Sequence, residues 1–356
     1  MQAKPSIIIS GYYGFGNAGD EAVLDGILAT FAEIGLDERV TVLSGNPAQT
    51  HAYHPGVRTI HRYSPFSVPR AIRGADLVIS GGGSLLQDAT SSRSLRYYLF
   101  ILRLAQALRR KTMVYAQGIG PLKFDRSREA VGRVLRRVSA ITVRDSDSLA
   151  LLESMGISGA RVVADPSFVA QPDLEAADAV LARHGLKGKA LLAVSVRPWA
   201  ENAWLPELAA SIRWVCDALG LEPVLIPMQP SEDTPLCASV GCGPIVGGDL
   251  PPRALKGVIA RCSLVIGMRL HSLMFAADAG VPFVALAYDP KVWAFAKEIG
   301  CCEALEVDGD FTGNLKAAAA RTWEHRKEIG KSLASQASKL RSSALQSGEM
   351  ARRLLE

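Results

Sequence analysis

Leu264-Val265-Ile266-Gly267-Met268-Arg269-Leu270-His271-Ser272 is the stretch whose reading decides the fold. Residues 263–266 make a short run bounded by turn residues, the mark of a strand buried on both faces of a parallel sheet. Gly267 breaks the run, and 272–280 reads as a helix closed by a glycine cap. Arg269 and His271 thus fall at the carboxyl end of a strand and the amino end of a helix. Open α/β sheets bind ligands there, and backbone N–H groups with the helix dipole favour an anion. A fixed cation and a titratable imidazole two residues apart point to an enzyme acting on a phosphate or carboxylate. The plain alternative is a capping histidine beside a surface arginine.

On either side of this stretch strand and helix signals alternate, as in parallel βαβ units. The sequence predicts strands at 7–10, 39–43, 57–60, 76–80, 112–116, 140–143 and 161–163, with helices from 20 and at 94–109, 126–137 and 146–154. Gln171-Pro172-Asp173 reads as a hinge. A second series follows: a helix at 173–184, strands at 191–196, 223–226, 243–246 (the weakest), 263–266 and 283–286, and helices at 204–219, 252–261, 271–279 and 290–299. The expected organisation is an α/β chain with domains at 1–170 and 171–312 and a helical tail at 313–356. Two Rossmann-like domains facing each other across a cleft, with the C-terminal helix returning to the first, make a GT-B-like architecture.

The 356 residues exceed the usual size of one core, and 48% hydrophobic with 21% charged residues excludes a disordered chain. Six cysteines without framework spacing indicate reduced thiols and a cytoplasmic protein. No leader is expected ahead of the first strand, and no apolar run approaches the roughly 20 residues that span a bilayer. Net charge is only +5, yet 91–137 carries twelve Lys/Arg against Asp125 and Glu129. That segment suits a phosphorylated substrate or the acidic inner face of a membrane. Few aromatics interleave with it, which disfavours nucleic acid.

Gly14-Phe15-Gly16-Asn17-Ala18-Gly19 matches a dinucleotide fingerprint, but the second strand, ending Leu43-Ser44, lacks the acid that would hold a ribose. Asp20 and Glu21 would also repel a pyrophosphate. The turn reads better as one where glycines let a sugar approach the backbone, with Asn17 beside it and Asp20 taking a hydroxyl proton. The alternative is a helix start capped by its own acids. Gly81-Gly82-Gly83 forms a potential anion nest, and no Gly-Lys-Ser/Thr follows to make it a Walker loop. Gln117-Gly118-Ile119-Gly120-Pro121 is a third open turn on the same rim. Arg144 closes another strand, with Ser146 or Asp147 expected to cap the next helix. Asp145-Ser146-Asp147 has the form of a metal-binding pair, but no third oxygen ligand lies near, so no metal is expected. His51, His54 and His61 fall in a polar loop and are expected to be exposed, and Lys291 sits on the second domain's ligand rim.

Five blocks in order, running from Gly11 to Glu21, Gly81 to Asp88, Ala116 to Pro121, Val143 to Asp145 and Gly267 to Ser272, resemble the bacterial polysaccharide pyruvyl transferase family, CsaB type. The resemblance spans most of the chain, about residues 7–299. It implies a GT-B-like fold and transfer of a pyruvyl group from phosphoenolpyruvate to a sugar as a cyclic ketal, with no cofactor. It further implies a lipid-linked acceptor, typically N-acetylmannosamine of a secondary cell-wall polysaccharide precursor that anchors an S-layer. Arg144 and the triplet Arg269-Leu270-His271 fall on the family's donor-binding and catalytic positions, Lys291 on a further one. On this reading Arg144 and Arg269 face each other across the cleft and grip oxyanions bidentately, His271 is the acid and Asp20 the base. The apolar residues 97–102 read as the core-facing side of a helix, with contact to lipid as the alternative. A nucleotide-sugar glycosyltransferase of the same architecture and a non-catalytic polyanion binder are the competing readings.

Overall fold

Short buried runs such as Ile7–Ser10, Leu77–Gly81 and Leu264–Gly267 make the central strands, and the helices that return between strands keep the pairings parallel. The structure, a computed structural model, describes residues 4–36, 39–89, 91–307 and 311–356. The chain divides into two units, Met1–Ala170 with Leu340–Glu356, and Gln171–Lys339.

Unit 1 holds β1 (Ile7–Ser10), β2 (Val40–Ser44), β3 (Arg58–His61), β4 (Leu77–Gly81), β5 (Lys111–Gln117), β6 (Ala140–Val143) and β7 (Arg161–Val162), in the order β3-β2-β1-β4-β5-β6-β7. The order reverses between β1 and β4, which puts the ligand-binding crevice of such a sheet at their carboxyl ends. In β1, Ile7 and Ile9 pack with Val23, Leu24 and Ile27, whereas Ile8 packs with Val68 and Ile72. Both faces are therefore covered.

Unit 2 holds β8 (Leu191–Ser195), β9 (Glu222–Leu225), β10 (Leu264–Gly267), β11 (Phe283–Ala287) and β12 (Glu303–Glu306), in the order β12-β11-β10-β8-β9. Here the reversal lies between β8 and β10. The deciding stretch is thus a central strand beside the switch point. The units are of the Rossmann type.

Three expectations change. The strand at 243–246 is a single bridge from Ile245 to Leu225. Pro244 has no N–H to give a ladder, and a side chain at Gly243 would run into the Pro223 carbonyl. The tail at 313–356 is two helices, Thr312–Glu324 and Arg326–Leu355, and the division between units falls inside the second. Leu315 and Ala319 belong to the unit 2 core, while Ser347 Oγ meets Thr142 Oγ1 of unit 1 at 2.9 Å. Finally, the helices Pro47–Tyr53, Ser67–Arg73 and Pro230–Val240 and the strand β12 stand where the sequence predicts no element.

Candidate active site

In unit 1, four successive turns meet at the carboxyl ends of β1, β4, β5 and β6. The Tyr13 hydroxyl donates to the Gly81 carbonyl at 2.8 Å, Gln117 Nε2 reaches the Gly82 carbonyl at 3.4 Å, and Gly118 N donates to the Gly83 carbonyl at 3.0 Å. Gly83 has a φ of 54°, and a Cβ there would strike Asp20 Oδ1. The glycine nest is thus already faced by a carboxylate, an arrangement suited to a neutral hydroxyl rather than a phosphate. Burial, then the nearby Asp20 and Glu21, raises the Tyr13 phenol well above its ordinary pKa, so it stays a donor.

The two adjacent acids have separate jobs. Asp20 is half-buried on the rim, whereas Glu21 is buried and accepts from Gly14 N at 2.6 Å. Asn17 caps the helix Ala18–Glu33, its Oδ1 accepting from Gly19 N at 3.0 Å and Asp20 N at 3.3 Å. That cap orients the turn carrying Asp20.

His54 corrects an expectation. It is buried, not exposed, with Nδ1 3.1 Å from Asp25 and Nε2 3.7 Å from Glu21. Burial alone would lower its pKa, but the hydrogen bond to Asp25 and the nearby Glu21 carboxylate outweigh this and lift it to about 9. The imidazolium sits behind the glycine-rich turn and holds the carboxylate that grips it.

Arg144 lies at the end of β6, its Nη1 3.2 Å from Asp165 and its Nη2 3.0 Å from Ser84 Oγ. The next helix, Ser146–Ser154, is capped by Asp145, which accepts from Ser148 N at 2.7 Å; Ser146 and Asp147 are not the cap. Asp145 is thereby engaged as a structural acceptor.

In unit 2, Arg269 is the N-cap residue of the helix Leu270–Asp278, and His271 lies in its first turn. The expected two-pronged grip of Arg269 on an oxyanion meets a competitor within the chain. Its Nε lies 3.1 Å from Asp233 Oδ2, and its Nη2 lies 2.5 Å from Asp233 Oδ1 and 3.0 Å from Glu232. Burial would lower the guanidinium pKa, but these partners raise it above the ordinary value. Both acids lie on the unanticipated helix Pro230–Val240, so no local signal announces the pairing.

Arg197, two residues past β8, is the functional candidate that sequence reasoning missed. Its Nη1 lies 2.8 Å from the Tyr288 hydroxyl and its guanidinium stacks 4.6 Å from that ring; among the described residues no carboxylate pairs with it. The signal was available: Arg197 follows its strand as Arg269 follows β10. Lys291 stands in the first turn of the helix Pro290–Ile299, whose cap Asp289 accepts from Lys291 N at 2.9 Å. Arg197, His271 and Lys291 therefore come from the carboxyl ends of three neighbouring strands, β8, β10 and β11.

The basic segment remains a solvated face. Arg93, Arg96, Arg103, Arg126, Arg133 and Arg137 are exposed. The core-facing reading of 97–102 holds for most of it: Tyr98, Leu99, Ile101 and Leu102 are buried, and Phe100 alone among these six is exposed, at 55%. Among the described residues no helix is long and apolar enough to cross a membrane.

With this geometry in place, comparison with known proteins is informative. Residues 17–290 match the family model described as polysaccharide pyruvyl transferase. The chain is 25% identical over 288 residues to the amylovoran biosynthesis protein AmsJ of Erwinia amylovora, covering 73% of this chain and 68% of that protein. Among solved structures, HepE from Anabaena in complex with UDP-glucose superposes with a TM-score of 0.65 at 13% identity, over 98% of this chain and 99% of that one. UDP-GlcNAc 2-epimerase from Neisseria meningitidis bound to UDP-GlcNAc gives 0.62 at 12% identity, over 98% and 100%. These two likenesses establish the GT-B class of fold and nothing about substrate.

Proposed function

The chain belongs to the polysaccharide pyruvyl transferase family and is an enzyme of pyruvyl transfer to polysaccharide; on that premise we propose that phosphoenolpyruvate is its donor and that the product is a cyclic ketal. The acceptor is a lipid-linked glycan precursor carrying N-acetylmannosamine, as the CsaB type implies, handled at the inner face of the membrane.

The observation that supports this reading is the placement of Arg197, His271 and Lys291 after three neighbouring strands of unit 2. Phosphoenolpyruvate brings a carboxylate and a phosphate, which call for at least two cations and a helix N-terminus. Arg197 and Lys291 take these charges, with Arg144 as the cation that the family resemblance adds. Arg269, held by Asp233 and Glu232, fixes the backbone from which Leu270 and His271 project.

The chemistry balances: two hydroxyl protons are released, one proton is gained at C3 and one leaves with the phosphate. A sugar hydroxyl adds to C2 while C3 gains a proton, for which an imidazole, able both to carry and to release one, is suited; His271 takes this part. Asp20 accepts the proton of the attacking hydroxyl. Phosphate then leaves C2 with its bonding pair, its growing charge met by the cations. The second hydroxyl closes the ring and releases its proton, leaving ketal and inorganic phosphate.

The test is phosphate release from phosphoenolpyruvate with a panel of lipid-linked and nitrophenyl glycosides, followed by mass analysis. Acceptor-dependent release with a pyruvylated product is expected. Consumption of UDP- or CMP-sugars instead, with phosphoenolpyruvate untouched, would establish the glycosyltransferase reading.

A further inference from the structure

Four largely buried cations among the described residues are matched by carboxylates: Lys256 by Asp278 at 2.7 Å, His54 by Asp25, Arg144 by Asp165 and Arg269 by Asp233. Arg62 departs from the pattern. It follows β3 directly and is only 4% exposed, yet no carboxylate among the described residues pairs with it. Four aromatic rings surround its guanidinium, with centroids at 3.9 Å for Tyr97, 5.2 Å for Phe15 and Tyr98, and 5.3 Å for Tyr63. Its hydrogen bonds are long, from Nη1 to the Tyr98 hydroxyl at 3.4 Å and to the Gly11 carbonyl at 3.5 Å, and Nε has no partner.

Ring faces attract a guanidinium but offer no acceptors for its five N–H groups. A buried charge left without an anion is costly, and a fork of donors on an aromatic bed is the arrangement that binds phosphate. The backbone keeps the side chain in place. Arg62 N donates to the Ser44 carbonyl at 2.8 Å, and the Tyr97 hydroxyl donates to the Arg62 carbonyl at 3.2 Å. Two of the rings reach solvent, Phe15 at 38% exposure and Tyr63 at 62%. Exposed rings of this kind stack on the apolar face of a sugar, and they can swing to admit an anion. Phe15 also lies between Gly14 and Gly16, both at positive φ, in the turn that leads to Asp20.

We propose that Arg62, with the rings of Phe15 and Tyr63, is an oxyanion subsite for the phosphate end of a sugar phosphate or diphosphate. It extends the reading of unit 1 as the acceptor side, and so rests on it. The nest facing Asp20 takes the sugar hydroxyl, and Arg62 takes the charge at the other end of the same acceptor.

The test uses thermal shift of the full chain with inorganic pyrophosphate, and with phosphoenolpyruvate in a separate arm. Pyrophosphate should raise the melting temperature of the wild type, less so that of Arg62→Lys, and not that of Arg62→Met. Kinetics supply the second readout, with one acceptor sugar presented as a polyprenyl diphosphate, a nucleoside diphosphate and a phosphate-free glycoside. The preference in kcat/KM for a diphosphate form over the glycoside should fall roughly ten- to a hundredfold in Arg62→Lys. The form with the greater fall identifies the natural carrier. Tyr63→Ala, at an exposed ring, should weaken binding of the sugar diphosphate more than that of pyrophosphate. Should Arg62→Met not fold, Arg62→Lys decides alone. Pyrophosphate shifts equal in the wild type and Arg62→Lys, or absent from the wild type, overturn the subsite. Failure of the phosphoenolpyruvate arm alone would instead count against the donor reading.

Discussion

At the carboxyl rim of unit 1 the turns after β1 and β4 set Asp20 against Gly83, whereas in unit 2 the turns after β8, β10 and β11 present Arg197, His271 and Lys291. Both rims have parallel strands, a switch point and helix N-termini. Topology thus supplies the same backbone donors twice, and side chains alone decide what each rim accepts. An acid beside bare backbone favours a hydroxyl that must lose a proton, and cations at helix starts favour an oxyanion. The sharpest way to break this contrast is to remove the proposed acid and the proposed base. His271→Ala and Asp20→Asn should each lower kcat roughly a hundred- to ten-thousandfold without lowering the melting temperature. Wild-type turnover in either variant would falsify its assignment as acid or base.

The contrast also predicts where a lost cation harms the fold. In Arg269→Ala the Asp233 carboxylate, whose side chain is fully buried, is left without its partner, at a cost of about 3–5 kcal/mol. Chemical denaturation should show that loss directly. A variant as stable as the wild type, with weakened phosphoenolpyruvate binding, would return Arg269 to the donor site.

This case shows how far the sequence could be read. The strand and turn at 264–272 were legible because an apolar run and a glycine are local signals. The partners of Arg269 were not, because Glu232 and Asp233 lie 37 and 36 residues away on a helix with prolines at its first position and its interior. His54 was misread for the same reason. Polar neighbours such as His51 and Pro55 mark a loop locally, and only the helix Ala18–Glu33 passing over it brings Asp25 and Glu21 into reach. Composition reveals which residues can carry charge, but burial and pairing depend on contacts distant in the chain.

His54 makes the unit 1 rim sensitive to alkali, and unit 2 has no counterpart among the described residues. Its pKa of about 9 stands above the ordinary 6.5, so its contribution is complete below pH 6.5 and is lost as pH rises through 9. The shift corresponds to stabilisation on the order of 3 kcal/mol. Melting temperature should therefore fall across that window, and His54→Gln should flatten the fall while lowering stability at neutral pH. An unchanged slope in the variant would mean that the imidazole is not charged in the folded state.

The smallest effect separates scaffold from substrate contact on the same turn. Asn17 lies where a sugar was expected, and its Oδ1 is engaged by Gly19 N and Asp20 N. Loss of such a cap costs about 1 kcal/mol, and aspartate caps as well as asparagine does. Asn17→Ala should therefore lose about that much stability, together with some turnover because the turn bearing Asp20 loosens. Asn17→Asp should restore both, since it keeps the accepting oxygen and adds favourable charge at a helix N-terminus. The amide nitrogen is what the two side chains do not share. A raised acceptor KM in Asn17→Asp, at wild-type stability, would assign that nitrogen to the sugar and make the rim of unit 1 a binding surface in its side chains as well as its backbone.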